Sequence, residues 1–411
     1  MTRTILHCDM NNFYASVELL SHPELRGKAV AVCGDPESRH GIILAKNEAA
    51  KKCGVVTAET IWQARKKCPD LLLLPPHRER YSAFSRQINT IYCRYTDLVE
   101  PFSIDESWLD ITGSMHLFHG DGRAIADEIR ATVKKETGLT CSVGVSFNKI
   151  FAKLGSDYKK PDATTVIPPD RWQEIVFPLP VGALLFVGKN AAHTLHTYGI
   201  DTIGQLAACP LELLQDLFGK SGVQMHRYAN GLEDSPVRPF GQREPVKSVG
   251  RGNTFRENLT TWEQVRAALT ALSDDVAVRL RRHGLYCTGV QVTIRDPAFR
   301  TITRQKQLPR STHLAREIAA ACMELMHSAW KMPNPIRMLT VTALHPIPAE
   351  ERTEQLDLLA ADAPQQSAKL EKLEHAMDQI RGKFGAGAIA YGTARPPASK
   401  KPAPPDGGEQ N

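Results

Sequence analysis

Apolar and polar positions follow three successive patterns along the chain. Up to about residue 165, short apolar runs such as "TILHCD" and "TCSVGVS" are typical of buried strands, and helical spacing separates them. In 122–137, Ile125, Ile129 and Val133 recur every four residues, which predicts an amphipathic helix. This first pattern indicates a domain of mixed strands and helices, α/β or α+β in class.

The second and third patterns predict two further domains. Residues 168–238 have helical spacing, and glycines mark short loops at "FVGKN", "TYGID" and "LFGKSG". Residues 247–345 predict strand, helix, strand, strand, helix and strand, a small α/β sandwich. Between them, "SPVRPFGQREPVK" carries three prolines and is typical of a linker. The proline-rich end of the chain, 395–411, predicts disorder.

Two adjacent carboxylates stand out in the stretch "VEPFSIDESWLDITGS". Asp105 and Glu106 lie side by side in an apolar, strand-like run, where they repel each other and resist burial unless a cation neutralises them. Mg²⁺ binds carboxylate oxygens together with substrate phosphates, and a pair of such ions can assist phosphoryl transfer. Asp9, at the end of the first apolar strand, is the natural third carboxylate.

The amino-acid composition and the positions of the cysteines limit the classes of protein to which the chain can belong. The chain has 411 residues, 42% of them hydrophobic and 23% charged, which is ordinary for a globular protein of several domains. The N-terminus lacks the features of a signal peptide, and no apolar run is long enough to span a membrane. The nine cysteines form no C-x-x-C pair, so we expect reduced thiols and a cytoplasmic protein without zinc ribbons.

Charge is concentrated in one segment. The net charge is +6, but residues 247–345 hold 15 Lys and Arg against 7 Asp and Glu, which leaves the rest slightly negative. Such a segment is typical of a module that faces a polyanion, and a solvated basic face without a partner is the alternative.

Two motifs together resemble one family. "HCDMNNFYASVE" and "FSIDESWLDITGS" are similar to the Y-family translesion DNA polymerases, in the bacterial DNA polymerase IV branch. Further stretches match in the family's order over residues 3–394, among them "CSVGVSFNKIFAKLGSDYKKPD", "YGIDTIGQLA" and "KSVGRGNTF".

The resemblance implies a right-hand polymerase of mixed α/β and α+β domains. Its parts would be a ferredoxin-like palm (1–12 and 78–167), small fingers (13–77), a helical thumb with a helix-hairpin-helix (168–238), a linker (239–246), an α/β little finger (247–345) and a clamp-binding peptide with a C-terminal helix (346–394).

The resemblance also assigns the candidate active site. Asp9, Asp105, Glu106 and the Met10 backbone carbonyl would bind two Mg²⁺ ions, with Glu106 as the active-site acid. The expected substrate-binding residues are Phe13, Tyr14, Lys46, Lys51 and Lys160. Tyr14 would be the steric gate against a 2′-OH, a packed helix aromatic being the alternative, and Lys160 would bind phosphate.

This chain departs from the family at four positions. Glu48 and Lys51 stand where many relatives have a Tyr and an Arg for the triphosphate. Asn11 replaces another acid, and Phe186 replaces the first glycine of the thumb hairpin.

Three partners are implied: primer–template DNA, a dNTP and the replication sliding clamp. The expected DNA contacts are Gly188, Lys189, Arg251, Arg256, Arg295, Arg300, Arg304 and Lys306, each of which has a surface charge or loop residue as its alternative. The clamp would bind "QLDLL", that is Gln355, Leu356, Asp357, Leu358 and Leu359, with a turn of amphipathic helix as the alternative. We expect a monomer.

The implied function is low-fidelity, template-directed addition of dNTPs to a primer 3′-OH during DNA damage bypass and repair. Three alternatives remain open at this point: a nucleotidyl cyclase with a palm domain, a DNA-binding accessory protein whose active site has decayed, and a mutagenesis-type branch of the same family.

Overall fold

The computed structural model describes residues 2–35, 41–118, 120–242, 244–352 and 363–392. The chain divides into two units, Met1–Arg243 and Glu244–Asn411. This division falls inside the proline-containing segment 239–246, where the sequence predicts a linker.

The strands of the first unit are short, and most of their residues are buried. In chain order they are β1 (Ile5–Met10), β2 (Val30–Cys33), β3 (Ile43–Lys46), β4 (Leu72–Leu74), β5 (Val99–Pro101), β6 (Glu106–Asp110), β7 (Cys141–Ser146) and β8 (Thr164–Val166).

The helices of the first unit are interspersed with these strands up to β8 and then follow one another. They are α1 (Phe13–Ser21), α2 (Glu48–Lys52), α3 (Ile61–Lys67), α4 (Arg78–Tyr92), α5 (Gly122–Thr137), α6 (Lys149–Tyr158), α7 (Trp172–Val176), α8 (Lys189–Thr197), α9 (Ile203–Ala208), α10 (Leu211–Phe218) and α11 (Lys220–Ala229).

A sheet with the order β5-β6-β1-β7-β8 forms the centre of the first unit in the described residues. Neighbouring strands are antiparallel except β7 and β8. Alternate residues of β1 point to opposite faces. Leu6, Cys8 and Met10 share one apolar core with the buried residues of α4 and α5. His7 and Asp9 therefore lie on the other face, which α6 covers.

Helix α5 has the bounds that its periodicity predicts, 122–137. Asp121 caps its N-terminus by accepting a hydrogen bond from the Arg123 amide. Gly138 ends the helix with φ +72°, a left-handed conformation that glycine adopts without steric cost. Ile125, Ile129 and Val133 are fully or almost fully buried, as predicted.

Two smaller assemblies complete the first unit. Strands β3, β2 and β4 form a sheet with its own core, in which β2 and β4 are parallel. Helices α7 to α11 pack around a further core that includes Phe151 of α6. The strand and helix types predicted from the sequence are confirmed in both regions.

The second unit is a sheet covered by helices on one face. Its elements are β9 (Ser248–Leu259), α12 (Trp262–Arg282), β10 (Leu285–Arg295), β11 (Thr301–Thr312), α13 (Ala315–Ala329), β12 (Ile336–Pro348) and α14 (Ala363–Phe384). The strand order is β11-β10-β12-β9, all antiparallel. This order of elements confirms the predicted α/β sandwich, and α14 confirms the C-terminal helix predicted within 346–394.

Helix α14 is fixed to this sandwich by buried ion pairs. The Arg281 guanidinium of α12 is almost completely buried and donates to the carboxylates of Glu374 and Asp378. Arg381 makes a second pair with Asp274 of α12, 2.6 Å between Nη2 and Oδ2. The C-terminal helix is therefore part of the second unit.

None of the described helices is both long enough and apolar enough to cross a bilayer. All nine cysteines are free thiols, which agrees with the absence of cysteine pairs in the sequence.

Candidate active site

The site is built on the pairing of β1 with β6. Asp9 lies directly opposite Glu106 in the antiparallel register, so both side chains point to the face that α6 covers. The prediction that Asp105 and Glu106 share a strand is wrong. Asp105 lies in the turn of the β5–β6 hairpin, one residue before β6 begins. Its carbonyl accepts a hydrogen bond from the Met10 amide, which holds the turn beside the end of β1.

The carboxylates of Asp9 and Glu106 converge on one point. Lys153 of α6 places its Nζ atom 2.8 Å from Asp9 Oδ2 and 2.7 Å from Glu106 Oε1. Lys160 also donates to Asp9 Oδ2, at 2.7 Å. Asp105 is turned aside, since its Oδ1 accepts from the Ser103 hydroxyl at 2.7 Å.

The pKa values of the two facing acids, Glu106 and Asp9, are shifted in opposite directions. Burial and the adjacent Asp9 raise the pKa of Glu106 to about 7, against the opposing effect of Lys153. Burial also disfavours ionised Asp9, but its contacts with Glu106, Lys153 and Lys160 hold its pKa well below the usual range. Burial raises the pKa of Asp105 as well. Of the two facing acids, Asp9 therefore stays ionised to the lower pH.

A cleft of about 450 Å³ opens beside these acids. Its walls hold Asp9, Met10 and Asp105 together with all five residues that the resemblance implies for substrate binding: Phe13, Tyr14, Lys46, Lys51 and Lys160. Phe13 also belongs to the buried core beneath the cleft. The structure thus brings an acidic edge and three lysines to one cavity.

Tyr14 has a rigid support. Its ring stacks on the ring of Tyr81, with 4.0 Å between centroids and 12° between planes. The Tyr81 hydroxyl donates to the buried carboxylate of Glu18, which Arg80 also contacts at 3.1 Å. This chain of contacts fixes the plane of the Tyr14 ring.

Two of the departures from the family pattern make structural contacts. Glu48 Oε1 accepts from the Asn12 side-chain amide at 3.0 Å, and Asn12 is the residue before α1, with φ 50°. Asn11 is buried, and its Oδ1 accepts from the Asp162 amide at 2.9 Å, which ties the loop carrying Lys160 to the end of β1. Both residues hold cleft walls in place.

The segment predicted to be the thumb hairpin turns at Phe186, where the resemblance implies a glycine. Phe186 adopts φ +71°, the left-handed conformation that a glycine would supply at lower cost, and its side chain is exposed. Gly188 precedes α8 as its N-terminal cap residue, and Lys189 is the first residue of that helix.

The basic residues predicted to contact DNA in the second unit lie on two faces of its sheet. Arg251 and Lys306 lie on the helix-covered face, where they pair with Asp275 of α12 at 3.1 Å and Glu324 of α13 at 2.5 Å. Arg304 lies opposite the buried Val292, on the same face.

The other predicted contacts have different surroundings. Arg295 lies opposite Thr301 and Met338, on the face away from the helices. Arg300 pairs with Asp296 in the loop between β10 and β11, and Arg256 is exposed on β9. The predicted clamp peptide, 355–359, lies outside the described residues.

Lys153 is the site residue that sequence reasoning missed. Lys149 and Lys153 are four residues apart in "NKIFAKLGSDY", so they share one face of α6 with buried apolar neighbours. Lysines on the apolar side of a helix indicate buried carboxylate partners, and this pattern could have identified them.

The donors suit a divalent cation, although no three His, Cys, Asp or Glu side chains in the described residues surround one point in this conformation. Two carboxylates already reach a single cationic nitrogen, and Asp105 lies in the adjacent turn. Oxygen ligands of this kind are those that Mg²⁺ prefers.

Comparisons with known proteins agree with this geometry. Residues 8–157 match the impB/mucB/samB family, and residues 246–358 match the C-terminal domain of the same family. The chain is 46% identical over 392 residues to DNA polymerase IV of Acetivibrio thermocellus, covering 95% of this chain and 97% of that protein. It is 37% identical over 393 residues to DNA polymerase IV 1 of Bacillus subtilis, covering 95% and 93%.

A solved structure shows the same fold. The Y-family DNA polymerase chimera of Dbh and Dpo4 matches with a TM-score of 0.74 at 22% identity, over 84% of this chain and 99% of that one. The predicted fold class is thereby confirmed. The two DNA polymerase IV relatives exclude a nucleotidyl cyclase. The chain belongs to the Y family of translesion DNA polymerases, within the branch of DNA-directed DNA polymerases called DNA polymerase IV.

Proposed function

We propose that the cleft beside β1 and β6 binds two Mg²⁺ ions and a dNTP, and transfers the nucleotide to a primer 3′-OH. The observation that carries the proposal is the convergence of Asp9 and Glu106 on one cation position, at the edge of a cleft lined by three lysines.

In this proposal Asp9, Asp105, Glu106 and the Met10 carbonyl hold the ions. When bound, the ions supply charge stabilisation and activation of the 3′-OH. The 3′ hydroxyl loses its proton to solvent as its oxygen forms a bond to the α-phosphorus, and the bond from that phosphorus to the pyrophosphate leaving group breaks. Asp105 reaches the ions by turning away from Ser103, which is a change of one exposed side-chain contact.

The cleft lysines bind the triphosphate. Lys160 is placed at the acids by its contact with Asp9, and Lys46 and Lys51 stand on the opposite wall. Glu48 binds no phosphate in this scheme, because its role is to hold Asn12. Tyr14 lies where the sugar enters and acts as the steric gate.

DNA and the clamp are bound outside the cleft. We assign the palm to 1–12 and 78–167, the fingers to 13–77, the thumb to 168–238 and the little finger to 247–345. The thumb hairpin around Gly188 offers helix N-terminal amides to a phosphate, and the basic excess of the little finger favours the duplex backbone. Residues 355–359 bind the sliding clamp. The free thiols favour a cytoplasmic location.

Primer extension with Mg²⁺ and dNTPs tests the metal assignment. One template is undamaged and one carries a minor-groove guanine adduct. Asp105→Asn should reduce extension on both templates at least about a thousandfold, a loss of about 4 kcal/mol of transition-state stabilisation, because a ligand of the ions loses its charge.

Asp110→Asn is the matched control, since Asp110 is the last residue of β6 and its Oδ1 accepts from the Thr112 amide. It should retain extension. Near-normal turnover by Asp105→Asn would overturn the metal assignment, and DNA binding without extension by the unmodified chain would favour the decayed accessory protein.

A further inference from the structure

The side-chain ammonium group of Lys153 contacts three carboxylates. Its side chain is 12% exposed and lies in the middle of α6. Its Nζ atom is 2.8 Å from Asp9 Oδ2, 2.7 Å from Glu106 Oε1 and 3.0 Å from Asp157 Oδ2. An ammonium group has three N–H donors, and here each has a carboxylate acceptor.

Lys160 does not make the same bridge. It contacts Asp9 at 2.7 Å and Asp157 at 2.5 Å, on the outer side of the site. Lys153 alone, among the lysines with described contacts here, joins the two facing acids of β1 and β6. Its charge thus stands at the point where the two strands bring their carboxylates together.

This position is the one that a divalent cation would need. Mg²⁺ requires carboxylate oxygens at 2.0–2.1 Å, and an ammonium nitrogen hydrogen-bonded to the same oxygens leaves no space for the ion between them. The two cations therefore compete for Asp9 Oδ2 and Glu106 Oε1.

We propose that Lys153 is an internal counter-ion, which holds Asp9 and Glu106 together in the metal-free enzyme and leaves them when a divalent cation binds. Lys153 is then a positioning residue that lowers the affinity of the free enzyme for metal. The inference rests on the metal site proposed above.

Lys153 has a third carboxylate partner on its own helix, which it can keep after it leaves the two acids. Asp157 lies four residues later on α6, on the same face, and is half exposed. The flexible lysine side chain can keep this partner while it releases the two acids. The charge it brings would then remain near the site.

Calcium titration of the full chain without DNA tests the proposal by calorimetry, and it requires no turnover. Lys153→Met keeps the length of the side chain and removes the charge. We expect it to bind Ca²⁺ at least about tenfold more tightly, which is about 1.4 kcal/mol. Lys159→Met, a change of an exposed lysine directly after the end of α6, should bind Ca²⁺ as the unmodified chain does.

Thermal unfolding gives a second readout. Metal-free Lys153→Met should melt at a lower temperature than the unmodified chain, and Ca²⁺ should raise its melting temperature by more. Lys153→Gln, which keeps hydrogen-bond donors without the charge, provides a second variant if Lys153→Met folds poorly.

Unchanged or weaker Ca²⁺ binding by the Lys153 variants would overturn the proposal. The same tighter binding in Lys159→Met would also overturn it, because the effect would then be a general effect of net charge. Asp9→Asn distinguishes a failure of the Lys153 proposal from a failure of the proposed metal site. If it binds Ca²⁺ as tightly as the unmodified chain does, the proposed metal site itself is wrong.

Discussion

At the scale of the residue, Tyr14 is held more firmly than its position in a helix requires. Its stacking on Tyr81, and the hydrogen bond from Tyr81 to Glu18, leave the ring little freedom to rotate away from an incoming sugar. The gate proposed for Tyr14 would select by steric exclusion, so it would depend on the ring and not on the hydroxyl.

Tyr14→Ala should therefore admit ribonucleotides. We expect the ratio of ribonucleotide to deoxyribonucleotide incorporation to rise at least about tenfold, equivalent to about 1.4 kcal/mol. Single-nucleotide incorporation on one template, with matched rNTP and dNTP, measures this ratio. Tyr14→Phe keeps the stacked ring and should keep the selectivity. If Tyr14→Ala discriminates as well as the unmodified chain, Tyr14 is only a packed aromatic.

The sequence predicted some residues of the site better than others. Asp9 could be placed because β1 is an uninterrupted apolar strand. Asp105 was placed on a strand because side-chain pattern alone does not show where a hairpin turns. Lys153 was missed because two of its partners, Asp9 and Glu106, lie more than 40 residues away along the chain, and only the sheet brings them together.

At the scale of the element, the contact of α6 with β7 decides where Lys153 stands. Gly144 of β7 and Gly155 of α6 face each other so closely that a Cβ on Gly144 would lie 1.9 Å from the Ala152 carbonyl oxygen. The absence of this side chain lets the helix backbone rest directly on the sheet. The lysine side chains then reach the acids of β1 and β6.

Gly144→Ala should push α6 away from the sheet. We expect the free energy of unfolding to fall by about 2 kcal/mol or more, since an added methyl group in a filled core costs about 1–3 kcal/mol. Urea unfolding measures this loss, and primer extension should fall with it. The control is Gly113→Ala, where a Cβ would meet no atom within 4 Å. Equal stability of the two variants would contradict this account of the contact.

Elements whose signals lie close together in the sequence were predicted better than contacts between distant residues. Helix α5 was predicted to the residue, because its periodicity and its caps are all local. The close approach of Gly144 and Gly155 was not anticipated, because nothing near either glycine in the sequence distinguishes it from a flexible one.

At the scale of the whole molecule, the predicted clamp peptide, 355–359, lies in the sequence between two segments of the second unit. Strand β12 belongs to its sheet, and α14 is held on α12 through Arg281 and Arg381. Removal of the chain beyond the peptide would therefore also remove buried ion pairs. Point substitutions are the appropriate test of clamp binding.

Gln355→Ala combined with Leu358→Ala should reduce synthesis only when the sliding clamp is present. The two changes remove a hydrogen-bonding amide and an apolar anchor, and losses of about tenfold or more in clamp affinity are typical of such contacts. Primer extension with and without clamp measures the effect. An equal loss in both assays would indicate that 355–359 has a structural role.

The antiparallel register of β1 and β6 has a consequence for how such a site can change over evolutionary time. A shift of one residue would set Cys8 or Met10 opposite Glu106 and turn Asp9 toward the apolar core. Because strands pair only in steps of whole residues, Asp9 and Glu106 either keep this register or no longer face each other. Glu48, Lys51 and Phe186, where the resemblance predicts departures from the family pattern, all lie outside this ladder, so a substitution there leaves the register of β1 and β6 unchanged.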